Sequence, residues 1–369
     1  MVILMTKITY IFTTGRINRI NNNKYADEFF YGARLFDKKS LKVEIIEFQN
    51  LNKLLKKIEH IISRIFSLPL YVFSILNFKN IKTIKESDYV YLISESSGFA
   101  ALPILMFVKK KYNVKTNIFI MGLYSKKLNF RFLKFIHLFL IKFLLRYIDE
   151  MYFLGKSELD VAKKIHGNNR KLMYKPFYID FLFWHNKDFN LIKNNRILFV
   201  GNDGNRDFNL ALRIVKQLPQ FNFTFLTSNS EVINFKASNL EVIYGNWGTS
   251  NISDLQLKDI YSKSRLIIIP LKESNQPSGQ SVTLQAMSVG VPVLISKTKG
   301  FWDNTSFIDN ESILFIEKEI ESWVNAINKL FFDTALLNKI SNNARNIVLA
   351  NYDIKLFYNF LMDKHKIES

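Results

Sequence analysis

The sequence predicts an α/β protein built as two doubly wound parallel-sheet domains. Three observations predict it. The 369 residues are too many for one ordinary core and suit two. Strand-like and helix-like segments alternate along the chain. The alternation breaks once, near the middle. Hydrophobic residues make up 48% and charged residues 22%, the balance of a folded chain rather than a disordered one.

In the first half, Lys7 to Thr13 (KITYIFT) reads as a buried strand and Tyr25 to Phe36 as a helix. Val43 to Phe48, Asp88 to Ile93 and Thr116 to Met121 read as strands, with an apolar helix from Gly98 to Lys111 before the last of these. A helix from Asn129 to Tyr147 and a strand from Glu150 to Leu154 follow. Such a βαβ series implies a parallel sheet with helices on both faces. Met173 to Asn186 carries Pro176, has no helical period and leaves through a polar stretch to Asn195, so it reads as the interdomain linker. The expected domains are residues 1–180 and 181–369, with the C-terminal helix able to pack back on the first. The second series begins at Arg196, with strands at Phe221 to Thr227, Leu240 to Tyr244, Leu266 to Pro270, Val291 to Ser296 and Ile313 to Ile316. The tail from Ile320 reads as helices. Ligands in open α/β sheets bind beyond the carboxyl ends of the strands, so two such edges facing a central cleft are expected.

Composition excludes several classes. There is no cysteine, hence neither a disulfide framework nor a thiolate metal site, which is compatible with a reducing cytoplasm. Five histidines show no zinc-ligand spacing, and no metal is expected. The start, MVILMTKITYIFTTG, reads as a first strand rather than a signal peptide. The longest charge-free apolar run, Ile65 to Phe78, has 14 residues and contains Pro69. Spanning a bilayer takes about 20. Charge is uneven: residues 1–185 carry 31 Lys and Arg against 14 Asp and Glu, a net of +17, whereas 186–369 carry 20 against 18, a net of +2. Either the first half meets an anionic partner, or the lysines reflect a Lys-, Asn- and Ile-rich composition. A compositional habit should not spare the second half.

Two motifs carry chemistry. In LFVGNDGNRDF, Leu198 to Phe208, an apolar strand ends at Gly201 and a helix begins at Arg206 and Asp207. Gly201 and Gly204 admit close backbone approach, Asn202 adds a polar group, and helix amides with the Arg206 guanidinium suit a diphosphate. The plain alternative is a βα turn capped by Asp207. The second motif is IIIPLKESNQPSGQSVTLQAMSVGVPVLISKTKG, Ile267 to Gly300. A strand ends at Pro270, Ser278-Gly279-Gln280-Ser281 opens a helix, and a second glycine loop, Thr298 to Gly300, follows the next strand. Two strand ends and one helix N-terminus converge, an arrangement suited to sugar hydroxyls and phosphates; the alternative is an unadorned αβ unit.

This stretch resembles the donor-site signature of the family 4 glycosyltransferases, which share the GT-B plan of two Rossmann-like domains. In that family it runs Glu-Gly-Phe-Gly, four residues, Glu-Ala-Met-Ala, Gly-x-Pro-Val and a Gly-Gly loop. Here Gln285-Ala286-Met287-Ser288 and Gly290-Val291-Pro292-Val293 stand at the matching spacing. The likeness covers most of 196–355; the first half shares strand order and the segment RYIDEMYFLGKSE. Pro277 stands where the family's first glutamate falls, and Gln285 replaces the second. The resemblance implies that Gln285 meets the ribose, that Gln280 and Ser281 replace the sugar contacts, and that Arg206 meets the diphosphate with Lys272, Lys297 or Lys299 as second cation. Glu273 is near but off the spacing. No histidine matches the family's N-terminal catalyst, since His137 sits in an apolar helix. Glu95, in ISESSG, is the candidate acceptor-facing group, or else a loop glutamate at a helix start.

The resemblance implies a retaining, metal-independent enzyme without cofactor, moving sugar from a UDP- or GDP-sugar to an envelope glycan, lipid or lipid-linked acceptor. Arg206 and the amides of 278–281 would stabilise the leaving diphosphate. The alternatives are an inactive nucleotide-sugar-binding subunit and a GT-B epimerase. Two basic, aromatic segments, Lys126 to Tyr147 and Lys56 to Lys79, read as amphipathic helices and bear on location. The first is expected to pack on its sheet and the second to lie against an anionic membrane, which makes the protein cytoplasmic and peripheral on the inner membrane face. No nucleic-acid-binding motif is present.

Overall fold

A computed structural model describes residues 6–38, 41–126, 131–187, 195–245 and 251–366. The first residues of the opening segment, positions 127–130 of the basic segment with the start of its helix, and the polar exit at 188–194 lie outside the described residues.

The chain divides into two units: Met1–Asn21 with Phe30–Pro176, and Asn22–Phe29 with Phe177–Ser369. The first holds β1 (Lys7–Phe12), β2 (Lys42–Glu47), β3 (Tyr89–Leu92), β4 (Lys115–Ile120), β5 (Glu150–Phe153) and β6 (Leu172–Tyr174). They form one parallel sheet in the order β2-β1-β3-β4-β5-β6. All six residues of β1 are buried, as expected of a strand covered on both faces, while edge strand β2 carries three charged residues and buries only Ile46. The helix Glu95–Val108 packs its apolar length on this sheet, burying Phe99, Leu102, Ile104, Leu105 and Val108.

The second unit holds β7 (Arg196–Val200), β8 (Asn222–Thr227), β9 (Leu240–Tyr244), β10 (Leu266–Ile269), β11 (Val293–Ser296) and β12 (Leu314–Ile316). These too are parallel, in the order β12-β11-β10-β7-β8-β9. Trp323, Ile327 and Leu330 of the helix Ile320–Phe332 join Leu210 and Ile214 of the helix Phe208–Gln217 in one core against Ile197, Phe199 and Ile268. In each sheet the chain steps outward in one direction and then the other from a central pair, β1 with β3 and β7 with β10. The loops leaving each pair diverge there and open the crevice where such sheets bind ligands.

Three stretches differ from the sequence expectation. The helix expected over 25–36 is a short turn, Glu28–Phe30, followed by the helix Ala33–Lys38. Tyr31 and Gly32 between them have φ of 50° and 89°, which no helix accommodates. The segment 56–79 is not one helix: the helix Lys53–Phe66 ends on Ser67 in the left-handed region, just before Pro69. The three-residue strand β6 lies partly within the stretch read as linker, hidden by its shortness and by Pro176.

Candidate functional site

The site is built where β7 and β10 part. β7 delivers Gly201 to Arg206, and Asp207 then caps the helix Phe208–Gln217 by accepting from Leu210 N at 3.0 Å. The capped-turn reading of this loop therefore holds, whatever else the loop binds. β10 delivers Leu271 to Ser278. The two loops are laced together: Asp207 N donates to Pro270 O at 3.0 Å and Lys272 N to Asn205 O at 2.8 Å. Asn205 Nδ2 reaches both Gln276 Oε1, at 2.9 Å, and Ser278 Oγ, at 2.7 Å. Asn202, itself exposed, ties the first loop sideways, accepting from Thr227 Oγ1 at 2.9 Å and donating to Gly245 O at 2.7 Å.

Gly279 caps the helix Gln280–Val289 with φ +81°, a conformation costly for residues with a Cβ, and an added Cβ would stand 3.0 Å from Ile269 Cγ2. Having no side chain, it offers no acceptor to the first amides of that helix. The positive end of the helix dipole is thus presented without the Ser, Thr, Asn or Asp cap that most of the other helices here use. Ser281 is half-buried and Gln280 buried. Gly300, after β11, rests directly on the second loop: a Cβ there would collide with Gln276 O and stand 2.6 Å from Ser274 O. This holds the third loop against the second, which is itself laced to the first. By contrast, a Cβ on Gly204 would meet nothing within 4 Å.

The cations are placed unequally. Lys272 and Lys299 are exposed, Lys272 Nζ lying 3.3 Å from Gly204 O. Lys297 is paired with Glu317 at 2.8 Å. Glu273 is tied to the third loop, accepting from Lys299 N at 3.0 Å, and pairs with Lys318 at 3.1 Å. Burial raises its pKa, but these partners outweigh it and hold the carboxyl below its usual range. Arg206, expected to face a diphosphate, is turned inward and is 3% exposed. Its Nε donates to Val200 O at 3.2 Å, one Nη lies 3.0 Å from Asp203 Oδ2, and a Cβ on Gly201 would collide with it. Burial lowers its pKa and Asp203 partly restores it. A guanidinium so placed organises the loop and adds positive field from beneath.

Gln285 is 2% exposed. Its Oε1 accepts from Tyr261 OH at 3.1 Å and its Nε2 donates to Glu28 Oε1 at 3.2 Å. Glu28 was absent from the sequence-based candidates. It also accepts from Trp184 Nε1 at 2.8 Å, and desolvation, then Asp254 and Asp180, push its pKa up to about 8. The residues around it are stitched into the second unit through Ala26 N to Asp254 at 3.0 Å and Tyr358 OH to Asp27 at 2.8 Å. A glutamate 257 positions from its glutamine carries no sequence signal of that pairing.

Glu95 lies at the corresponding switch point of the first unit, just beyond β3, in the first turn of the helix Glu95–Val108. It accepts from Met121 N at 3.3 Å, and burial raises its pKa. A second carboxylate, Glu158, grips the same turn by accepting from Tyr124 N at 2.9 Å. Burial, then Glu95, push Glu158 up to about 8. His137 is buried, its Nδ1 3.2 Å from Phe66 O, and burial lowers its pKa. Among the described residues no group of three or more His, Asp or Glu is arranged to hold a metal.

Residues 186–347 match the model of the family described as Glycosyl transferases group 1. Solved structures share the fold across nearly the whole chain. Sucrose-phosphate synthase from Thermosynechococcus elongatus is 13% identical with a TM-score of 0.71, over 98% of each chain. HepE of Anabaena, in complex with UDP and glucose, is 12% identical with a TM-score of 0.68, over 98% of this chain and 99% of that one. A glycosyltransferase from Rickettsia africae is 12% identical with a TM-score of 0.63, over 98% of each. No curated protein matches in sequence. The whole chain thus shares the GT-B fold of two Rossmann-like domains, and most of its second unit matches a group 1 glycosyltransferase domain.

Proposed function

We propose that the second unit binds a UDP-sugar and that the enzyme passes the sugar, with retention and without a metal, to an envelope glycan or a lipid-linked acceptor at an anionic membrane surface. The observation that carries the donor reading is the convergence at the β7/β10 switch point of three interlocked loops and a helix N-terminus capped only by Gly279. Backbone amides and the positive helix end suit a diphosphate, with Lys272 and Lys299 as exposed cations and Arg206 as the buried charge below. UDP is favoured over GDP because HepE, which shares the fold, is solved with UDP. In this reading Gln285 orients the nucleoside side of the donor, and Glu95, its affinity for a proton raised by burial, is the acceptor-side group. Developing negative charge on the leaving diphosphate is met by groups already in place, which is how such sites gain rate.

A second reading, a binding subunit without turnover, is favoured by Pro277 at the first glutamate position and by the burial of Gln285. Two measurements separate them. UDP at millimolar concentration should raise the melting temperature, as any ligand that prefers the native state does. A panel of UDP- and GDP-sugars should then show hydrolysis or transfer. Absence of any shift with either nucleotide defeats the donor site; a shift without turnover of any sugar supports the binding subunit.

A further inference from the structure

We propose that the first unit carries a docking face for an anionic lipid bilayer, formed by the neighbouring helices Lys53–Phe66 and Arg131–Tyr147. It deepens the reading of a membrane-associated acceptor and rests on that reading for its purpose, while its observations are independent of the donor site.

The helix Arg131–Tyr147 is held to its unit by one side, burying His137, Ile141, Leu144 and Leu145. Its other side presents Phe132, Phe135 and Phe139, which are 72%, 69% and 55% exposed. Positions three and seven apart share one face of a helix, so the three rings form a stripe. The sequence expectation had this segment packing and the 56–79 segment meeting lipid; burial shows that the former packs and still leaves an aromatic edge in water. The helix Lys53–Phe66 adds Leu54, Ile61 and Ile65, at 68%, 50% and 50% exposure. The two helices are adjacent: His137 Nδ1 lies 3.2 Å from Phe66 O, and Lys126 Nζ donates to Ser67 O at 3.0 Å.

The charges decide the occupant. The exposed charged residues of the two helices are Lys53, Lys56, Lys57, Arg64, Arg131, Lys134, Lys142 and Arg146. The one acid in either helix, Glu59, is buried and turned inward, accepting from Ser74 N at 3.1 Å and Ser74 Oγ at 2.9 Å. Beside the helix Arg131–Tyr147 opens a cavity of 350 Å³ whose lining includes Lys126, Lys134 and His137 and, among the described residues, no acid. Exposed apolar groups on helices whose exposed charges are all cationic are what a headgroup–acyl boundary with anionic lipid accepts. Nucleic acid would meet the cations but has no use for Leu54, Ile61 and Ile65, which cannot stack on bases as aromatic rings do.

The test uses the full chain with vesicles of phosphatidylcholine alone or mixed with phosphatidylglycerol. Binding to the anionic vesicles should exceed binding to the neutral ones by about tenfold or more and should be reversed by about 0.5 M salt. The variant Phe132→Ser/Phe135→Ser/Phe139→Ser should lose about tenfold in vesicle affinity, because apolar insertion adds to the electrostatic attraction. Its melting temperature and its shift with UDP should match those of the parent, so a failure here is distinguishable from a failure of the donor site. No binding to anionic vesicles overturns the proposal. Undiminished binding by the triple variant overturns the face and leaves only charge. Capture of a single-stranded RNA oligomer in preference to vesicles assigns the surface to nucleic acid instead.

Discussion

Both units fold a six-stranded parallel sheet around one switch point, but they furnish it with opposite chemistry. In the second unit the loops beyond β7 and β10 offer helix amides, lysines and a buried arginine. In the first, the corresponding position holds Glu95, with Glu158 gripping the same turn. Net charge runs the other way: residues 1–185 carry +17 and the rest +2. The first half is therefore basic on its outside and acidic at its switch point. The difference teaches that the net charge of a unit and the polarity of its switch point are set independently.

The comparison can be broken most severely at Gly300. In Gly300→Val the side chain must displace the backbone at Ser274–Gln276, an overpacking that costs about 1 to 3 kcal/mol of stability. The separated loops should abolish the UDP-induced rise in melting temperature. A variant that still responds fully to UDP would show that the loops need not be locked together.

Arg206→Ala comes next. Loss of this buried positive charge, which acts through the loop rather than by a direct bond, should weaken UDP binding by about 1 kcal/mol while leaving uridine nearly unaffected, measured by calorimetry with both ligands. Equal losses for both would confine Arg206 to shaping the loop, the role its inward orientation already gives it.

A pH-dependent effect sharpens the parallel between the units. Glu28 and Glu158 are both pushed from 4.5 to about 8, chiefly by burial. For carboxyls raised in the folded state, the folded form holds a proton that the unfolded chain has already released. Their stabilising share is complete below about pH 4.5 and is lost as pH rises toward about 8. Melting temperatures across that window should fall less steeply in Glu28→Gln and in Glu158→Gln than in the parent. Slopes identical to the parent's would mean that neither carboxyl keeps its proton.

Most of the fold was legible because parallel strands buried on both faces read as uninterrupted apolar runs. KITYIF and RILFV are unambiguous, and Leu240–Tyr244 was placed to the residue. The exceptions were governed by single backbone conformations, at Tyr31, Gly32 and Ser67, that composition does not announce. The glycines and polar residues of the candidate site stood out for the same local reason: they punctuate strand ends. What joins them did not. Asn205, which laces the two loops, looks like any loop asparagine, and the inward turn of Arg206 depends on where Asp203 and Val200 O fall in space. Glu28 and Gln285 meet only through the folding of a distant segment onto the second unit.

The central claim is that the donor diphosphate is held by the three loops of the second unit. Hydrogen exchange followed by mass spectrometry, with and without saturating UDP, tests it most directly. Peptides covering 201–207, 272–282 and 298–300 should gain protection, because their amides would acquire an anionic acceptor, while those covering 121–125 in the first unit should not change. Protection absent from all three loops, or confined to the first unit, would contradict the account.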